Sequence, residues 1–504
     1  MLRLLDDRFR VLTAGRRTAL PRQRTLQATL DWSHGLLEPG DAKVFRRLAV
    51  FAGGCTLDAA SGVTADAETP TVAVADAIGR LASKSLIVVD RGLTSARYRL
   101  LETMRAYAQQ KLFEAGETDA LQQRHAGYHA RLFEPCFAEF WGDSSEAMLL
   151  SRYGAELDNL ARALDWAFGP DGEPALGARL AADAGAILAF HGLFLDLARW
   201  SGAGLSVLCA SDPPEIRDRL QANILIASVF VGGDAGAAAI ADIADRAHKL
   251  TISNDWAARI SALVVQAWAL GAVAVPAALD TIADTLTQQK LPAISRAGCF
   301  VDFARVLAIH AAKGDEAETL RTCAQAALVE ARAIGADQIA TNVLAWGTTA
   351  EMPWEHPDAA IDPARALLEK LLAHTGYRMV RVSVAQLAGR FIIALVQRGR
   401  PGDLAEARAM AQTIEQSSVR VPIHLYRVGL AWLAWGDRRP RDAARLLGLL
   451  DQSGLTDRLL AADRRALIER LVPDLSPGVL DAALKEGSTL TWDEAFGIAV
   501  GPLQ

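Results

Sequence analysis

The residues with the types and spacing to do chemistry are few. His125 and His129 stand four apart, which on a helix puts two imidazoles on one face, a spacing used for divalent metals. No neighbouring carboxylate or cysteine completes a ligand set, so the pair reads as two surface histidines and no metal site is expected. Asp31, Ser33 and His34 lie close in sequence, but neighbours on one helix project in different directions and do not make a triad. There is no GxxxxGK[ST] phosphate loop, no HExxH, no GxSxG elbow and no GxGxxG after a strand. No catalytic residue is therefore assigned, and a non-enzymatic chain is expected. The five cysteines, Cys55, Cys136, Cys209, Cys299 and Cys323, are scattered without a CxxC, as for reduced thiols in a cytoplasm. The clearest charge feature is cationic. The first thirty residues hold seven arginines against Asp6 and Asp7. Arg16, Arg17, Arg22 and Arg24 could grip phosphates, but a solvated loop or a docking surface for another domain is the preferred reading.

Those residues need elements to hold them. A loop over 15–21 leads into a helix that carries Leu26, Leu30, Trp32 and Leu36 at helical spacing and ends by Pro39-Gly40. Asp41 caps the next helix, with Val44, Phe45, Leu48 and Phe51, which stops at Gly53-Gly54. A short helix follows over 57–63, and a third over 72–83 turns Val74, Ala77, Ile78 and Leu81 inward. The β-branched run 86–89 and the segment 98–100 flank a turn at Asp90-Arg91-Gly92. Three helices closed by a β-hairpin make a winged helix. Its third helix offers Asp76, Gly79, Arg80, Ser83 and Lys84 outward, and two cations beside an aspartate are a thin set for reading base edges. Arg80 and Lys84 join the arm as candidates for touching DNA or a partner.

The remainder reads as helix. Turn centres near Asp234, Val273, Asp315, Asp358, Asp403 and Asp437 recur at intervals of 34 to 45 residues, among them Gly314-Asp315, Gly402-Asp403 and Gly436-Asp437. A helical hairpin cannot bury its apolar face alone, so these stack into a degenerate α-solenoid of tetratricopeptide type. The expected fold is predominantly all-α: a basic linker and helix over 1–40, a winged helix over 41–115, a helical connector over 116–200, and repeats with a C-terminal cap over 201–504. The chain's 504 residues carry a net charge of −6 with 51% hydrophobic and 22% charged residues, which excludes a disordered chain and a phosphate-coating protein. The uncharged stretch 260–279 contains Gly271 and Pro276 and reads as a buried helical hairpin, not a membrane span. A cytoplasmic location is expected.

Several runs carry a resemblance. The run from Leu5 to Ser33, then Phe45 to Gly54, Leu81 to Leu86 and Tyr98 to Ala108, resembles a signature of bacterial STAND-type regulators, signal-transduction ATPases related to the NB-ARC family. Glu156 to Ala167 is similar to the helix that opens that family's repeat region, and Glu486 to Ala495 to its closing segment. The resemblance implies an N-terminal DNA-binding effector, a nucleotide-binding ATPase, a winged helix and a tetratricopeptide-like sensor array. On this alignment the chain begins just after the nucleotide-binding core, so ATP or ADP is implied only for an upstream domain or one supplied in trans. Where the family carries a Met-His-Asp nucleotide sensor, this sequence has Leu101, Glu102 and Thr103. A glutamate repels a phosphate, so of the sensor positions Glu102, Thr103 and Arg105 a contact by Arg105, or a purely structural role, is expected in place of direct sensing. The implied function is a non-catalytic, signal-sensing part of a transcriptional regulator, with a protein partner or small-molecule inducer on its repeats and DNA engaged only indirectly. The alternatives are direct DNA binding through the winged helix and arginine-rich arm, and an ATPase remnant that needs a partner chain.

Overall fold

A computed structural model describes residues 21–91, 96–231, 237–271, 317–336, 340–341, 343–344, 356–372, 378–416, 424–451 and 458–500. The chain divides into two compact units, one of residues 1–135 and 150–180, the other of 136–149 and 181–504.

The first unit opens with α1 (Pro21–Gly35) and α2 (Pro39–Arg47), the latter prolonged by a 3-10 turn at Leu48–Val50. Pro39 presets the backbone for a helix start, so α2 begins two residues before the expected cap. Asp41 consequently sits inside the first turn and does not cap it. In α3 (Leu57–Thr64) the preceding Thr56 does cap, its hydroxyl accepting from the Ala59 amide at 3.1 Å. The third helix of the winged domain, α4 (Thr71–Ser83), buries Val74, Ala77, Ile78 and Leu81 as the spacing requires. It ends through Ser85 in the left-handed region, with the Leu86 amide donating to the Leu81 carbonyl at 3.0 Å.

Strands β1 (Val88–Arg91) and β2 (Ala96–Arg99) pair antiparallel, Val88 opposite Arg99 and Asp90 opposite Arg97. Asp90 and Arg91 therefore belong to the ladder, not to the turn, because Asp90 gains a cross-strand partner in Arg99 at 2.7 Å. Cys55 exchanges backbone hydrogen bonds of 2.9 and 2.8 Å with Tyr98, clipping the loop after α2 to the hairpin. Gly54 makes this possible: its φ is +75°, and a Cβ there would lie 2.8 Å from the Tyr98 carbonyl oxygen. Helices α5 (Glu102–Glu114) and α6 (Thr118–Phe133) close the core, in which Phe45, Leu48, Phe51, Val63, Ile78, Leu81, Tyr107 and Leu112 are all buried. After α7 (Cys136–Trp141) and α8 (Glu146–Arg152), α9 (Leu157–Ala167) returns to this unit.

The second unit is helical throughout its described residues: α10 (Pro174–Phe190, which begins in the first unit), α11 (Phe194–Val207), α12 (Pro214–Val231), α13 (Ala237–Leu250), α14 (Trp256–Gly271), α15 (Ala317–Ala333), α16 (Pro357–Leu372), α17 (Arg378–Arg398), α18 (Asp403–Gln416), α19 (His424–Gly436), α20 (Pro440–Asp451), α21 (Arg458–Leu471), α22 (Pro477–Gly487) and α23 (Trp492–Val500). Two expected turns have a clear physical basis. Gly399 and Gly402 adopt positive φ between α17 and α18, and Asp403 accepts from the Arg400 amide and the Arg398 guanidinium. At Asp437 the carboxylate receives Arg408 and Arg439. The turn placed near Asp358 precedes that residue, which lies in the first turn of α16. The turns near Asp234, Val273 and Asp315 fall outside the described residues, as do Pro276 and Cys299. From α16 to α23 one apolar cluster is continuous, centred on Phe391, Leu395, Tyr426 and Trp432. Trp432 is fully buried and meets Trp435 edge-on, with Arg470 over both rings, so both indoles pack rather than present a stacking surface. No described helix is long and apolar enough to cross a membrane.

Candidate nucleic-acid interface

The candidate surface is the outward face of α4 beside the hairpin. Thr71, Val72, Asp76, Gly79, Arg80, Ser83 and Lys84 are exposed there. Residues 37–113 contain ten Lys and Arg against eight Asp and Glu, a local +2 in a chain of −6. The cations differ in how free they are. Arg80 grips Asp41 in a fork, Nη2 to Oδ1 at 2.8 Å and Nε to both oxygens at 3.0 and 3.1 Å. Asp41 is fully buried while the Arg80 side chain is 52% exposed. One edge of the guanidinium thus braces α4 on α2, and the other faces water. Lys84 is exposed, with its ammonium 3.5 Å from the Leu36 carbonyl oxygen. On the hairpin, Arg99 pairs with Asp90 at the surface.

Arg97 is spent inside. Its Nη1 meets Glu156 at 2.5 Å, and its Nη2 reaches the carbonyls of Gly53, Gly54 and Ala155 at 3.3, 3.2 and 3.0 Å. Asn159, fully buried on α9, completes this junction. Its oxygen accepts from the amides of Ala52 at 2.8 Å and Gly53 at 3.4 Å, and its NH2 donates to Gly54 at 2.9 Å and Glu156 at 2.7 Å. Burial opposes ionisation of Glu156, but His129, Arg97 and Asn159 outweigh it and hold the carboxyl below its usual range.

Arg22 and Arg24 lie in the first turns of α1, and Arg16 and Arg17 fall outside the described residues. Glu102 and Thr103 are exposed in the first turn of α5, where Arg105 pairs with Glu102 at 3.3 Å. Glu102 suits that position because a carboxylate is favoured at a helix N-terminus. Asp31 accepts from the Tyr107 hydroxyl at 2.8 Å, and His34 packs against the Phe45 and Tyr107 rings.

The expectation of two surface histidines is overturned. His125 is 1% exposed and His129 0%, because α6 turns this face onto Phe51 and the start of α9. Among the described residues no group of three His, Cys, Asp or Glu side chains is placed to hold a metal. Arg97, Glu156 and Asn159 were not singled out from the sequence. A usable signal exists for one of them: Asn159 interrupts the apolar face of α9 made by Leu160, Ala163, Leu164 and Ala167.

Comparison with known proteins adds a family for part of the chain. Residues 37–113 match the model of a winged helix-turn-helix domain. Over 162 residues, 32% of this chain, the sequence is 42% identical to a protein of Mycobacterium tuberculosis strain H37Rv that carries the provisional name HTH-type transcriptional regulator, and the match covers 18% of that relative. A Mycobacterium bovis protein with the same provisional name matches with the same identity and coverage. Over 122 residues, 24% of this chain, it is 40% identical to an uncharacterized protein of the same tuberculosis strain, covering 31% of that protein. The chain therefore spans under a fifth of the first relatives and under a third of the last. No solved structure matches.

Proposed function

We propose that this chain is part of a transcriptional regulator and that its winged helix contacts duplex DNA. The observation that carries the reading is the winged helix-turn-helix domain at 37–113, in a chain that is similar over 162 residues to proteins provisionally named transcriptional regulators. Lys84, the water-facing edge of Arg80 and Arg99 are suited to phosphate oxygens, and Arg16, Arg17, Arg22 and Arg24 would add charge from the arm. With Asp76 in their midst, they support positioning on the backbone more than base-edge readout. No catalytic step is assigned. The test is fluorescence anisotropy with a 30-base-pair duplex over a salt series. Binding in the micromolar range or tighter at 50 mM salt, falling steeply with added salt, is expected. Absence of binding at 50 mM salt would refute it.

A second reading is favoured by one specific observation: the forks of Arg80 and Arg97 are committed to Asp41 and Glu156, which thins the DNA-facing set. In that reading the chain is the signal-sensing part of a STAND-type regulator. The segment 201–504 is then a tetratricopeptide-like array for a protein or small inducer, 116–200 a connector, and 1–40 the contact to a nucleotide-binding domain in trans, with Glu102, Thr103 and Arg105 near its phosphates. Such an array can act only through different affinity for two states of the regulator.

A further inference from the structure

His125 and His129 pack together inside the first unit, their ring centroids 4.2 Å apart and their planes tilted by 43°. The His129 Nδ1 lies 2.8 Å from the His125 carbonyl oxygen, so that nitrogen must carry a proton and donate. The His129 Nε2 faces a Glu156 oxygen at 3.4 Å, and this contact is a hydrogen bond only when Nε2 is protonated as well. The His125 ring faces no such carboxylate: its Nε2 is buried and, among the described residues, has no hydrogen-bond partner. The groups around the pair come from every packed element. They are His129 and Tyr128 on α6, Arg162 and Asn159 on α9 with Glu156 before it, Arg97 on the hairpin, Cys55 in the clipped loop, and Asp58 on α3. The Phe51 ring closes one side of His125 at 5.2 Å.

We propose that the His125–His129 pair is an acid-operated latch, in which a proton added to His125 releases the 52–54 loop and the hairpin from the start of α9. Charge on His125 would lie against His129 and Arg162 in a site closed to water, with Asn159 as its neighbour. Asn159 is the side chain that holds the Ala52 and Gly53 amides, so disturbing one disturbs the other. Burial, then the proximity of His129 and Arg162, pushes the His125 imidazole well below its ordinary value of 6.5. The folded site binds fewer protons than the open one, so the latch holds above pH 6.5 and weakens as pH falls below it.

The test is hydrogen–deuterium exchange of the full chain at pH 7.5, 6.5 and 5.5, corrected for intrinsic rates and read on peptides covering 48–56 and 96–100. The wild type should lose protection there by up to about tenfold per pH unit below 6.5. Peptides from α19 and α20 should not follow. His125→Phe, which keeps a ring and removes the titrating nitrogens, should flatten the response, and His125→Gln serves if the phenylalanine variant does not fold. A wild type that is flat to pH 5.5, an equal loss in α19 and α20, or an unchanged slope in the folded variant would each overturn the latch.

Discussion

Removing the Arg80 guanidinium should loosen the winged helix from within rather than only strip a charge from its surface. In Arg80→Ala the Asp41 carboxylate, 0% exposed in the native chain, loses a fork of three contacts between 2.8 and 3.1 Å. Stranding one partner of a fully buried pair costs about 3–5 kcal/mol. Arg80 is half in water, so solvent can follow the truncated side chain toward Asp41, and about 2–3 kcal/mol is the better expectation. That is a roughly 30- to 150-fold rise in the opening equilibrium. Hydrogen–deuterium exchange of the full chain reads it directly on peptides from α2 and α4. The double variant Asp41→Asn/Arg80→Ala should recover most of the protection, because no buried charge is left. Lys84→Ala, which truncates an exposed side chain, should leave exchange within twofold of wild type. If Arg80→Ala changes exchange by less than threefold, or if the double variant is no better than the single, Arg80 does not brace the helix and its surface role stands alone.

Three further outcomes follow from the packing. Asn159→Leu should destabilise the first unit by about 2–4 kcal/mol in urea unfolding, since the Ala52 and Gly53 amides and the Gly54 carbonyl lose their partner. Gly448→Val should lower the melting of the second unit in scanning calorimetry by about 5–10 °C, an overpacking cost of about 2–3 kcal/mol, because a side chain there collides with the Leu484 backbone of α22. Burial disfavours the Glu117 carboxylate, but bonds from Arg47 and Arg46 prevail and hold it below its ordinary 4.5. Its stabilisation is therefore present above about pH 4.5 and lost on further acidification, and Glu117→Gln should flatten the acid limb of a stability–pH profile.

What the sequence made legible follows local periodicity. Val74, Ala77, Ile78 and Leu81 fall on one helical face, and α4 buries those four. The Gly-Asp turn at 402–403 was readable because positive φ and an aspartate that accepts local donors leave a compositional mark. Asp41 does not act as a cap, and its partner Arg80 lies 39 residues away, beyond any local pattern. The histidine pair shows the same limit. Its four-residue spacing was visible, whereas its burial depends on Glu156, 27 residues further on, and on Phe51 behind it. Arg80 and Lys84 are both exposed, yet only three-dimensional pairing shows that Arg80 braces the fold through Asp41.

Photocrosslinking of the full chain to a bromodeoxyuridine-substituted duplex, followed by peptide mapping, bears most directly on the proposed DNA contact. The account predicts crosslinks within α4 and the hairpin, weakened by Lys84→Glu and by rising salt. Crosslinks confined to the helical array, or none in 71–99 under conditions where the duplex is bound, would contradict it.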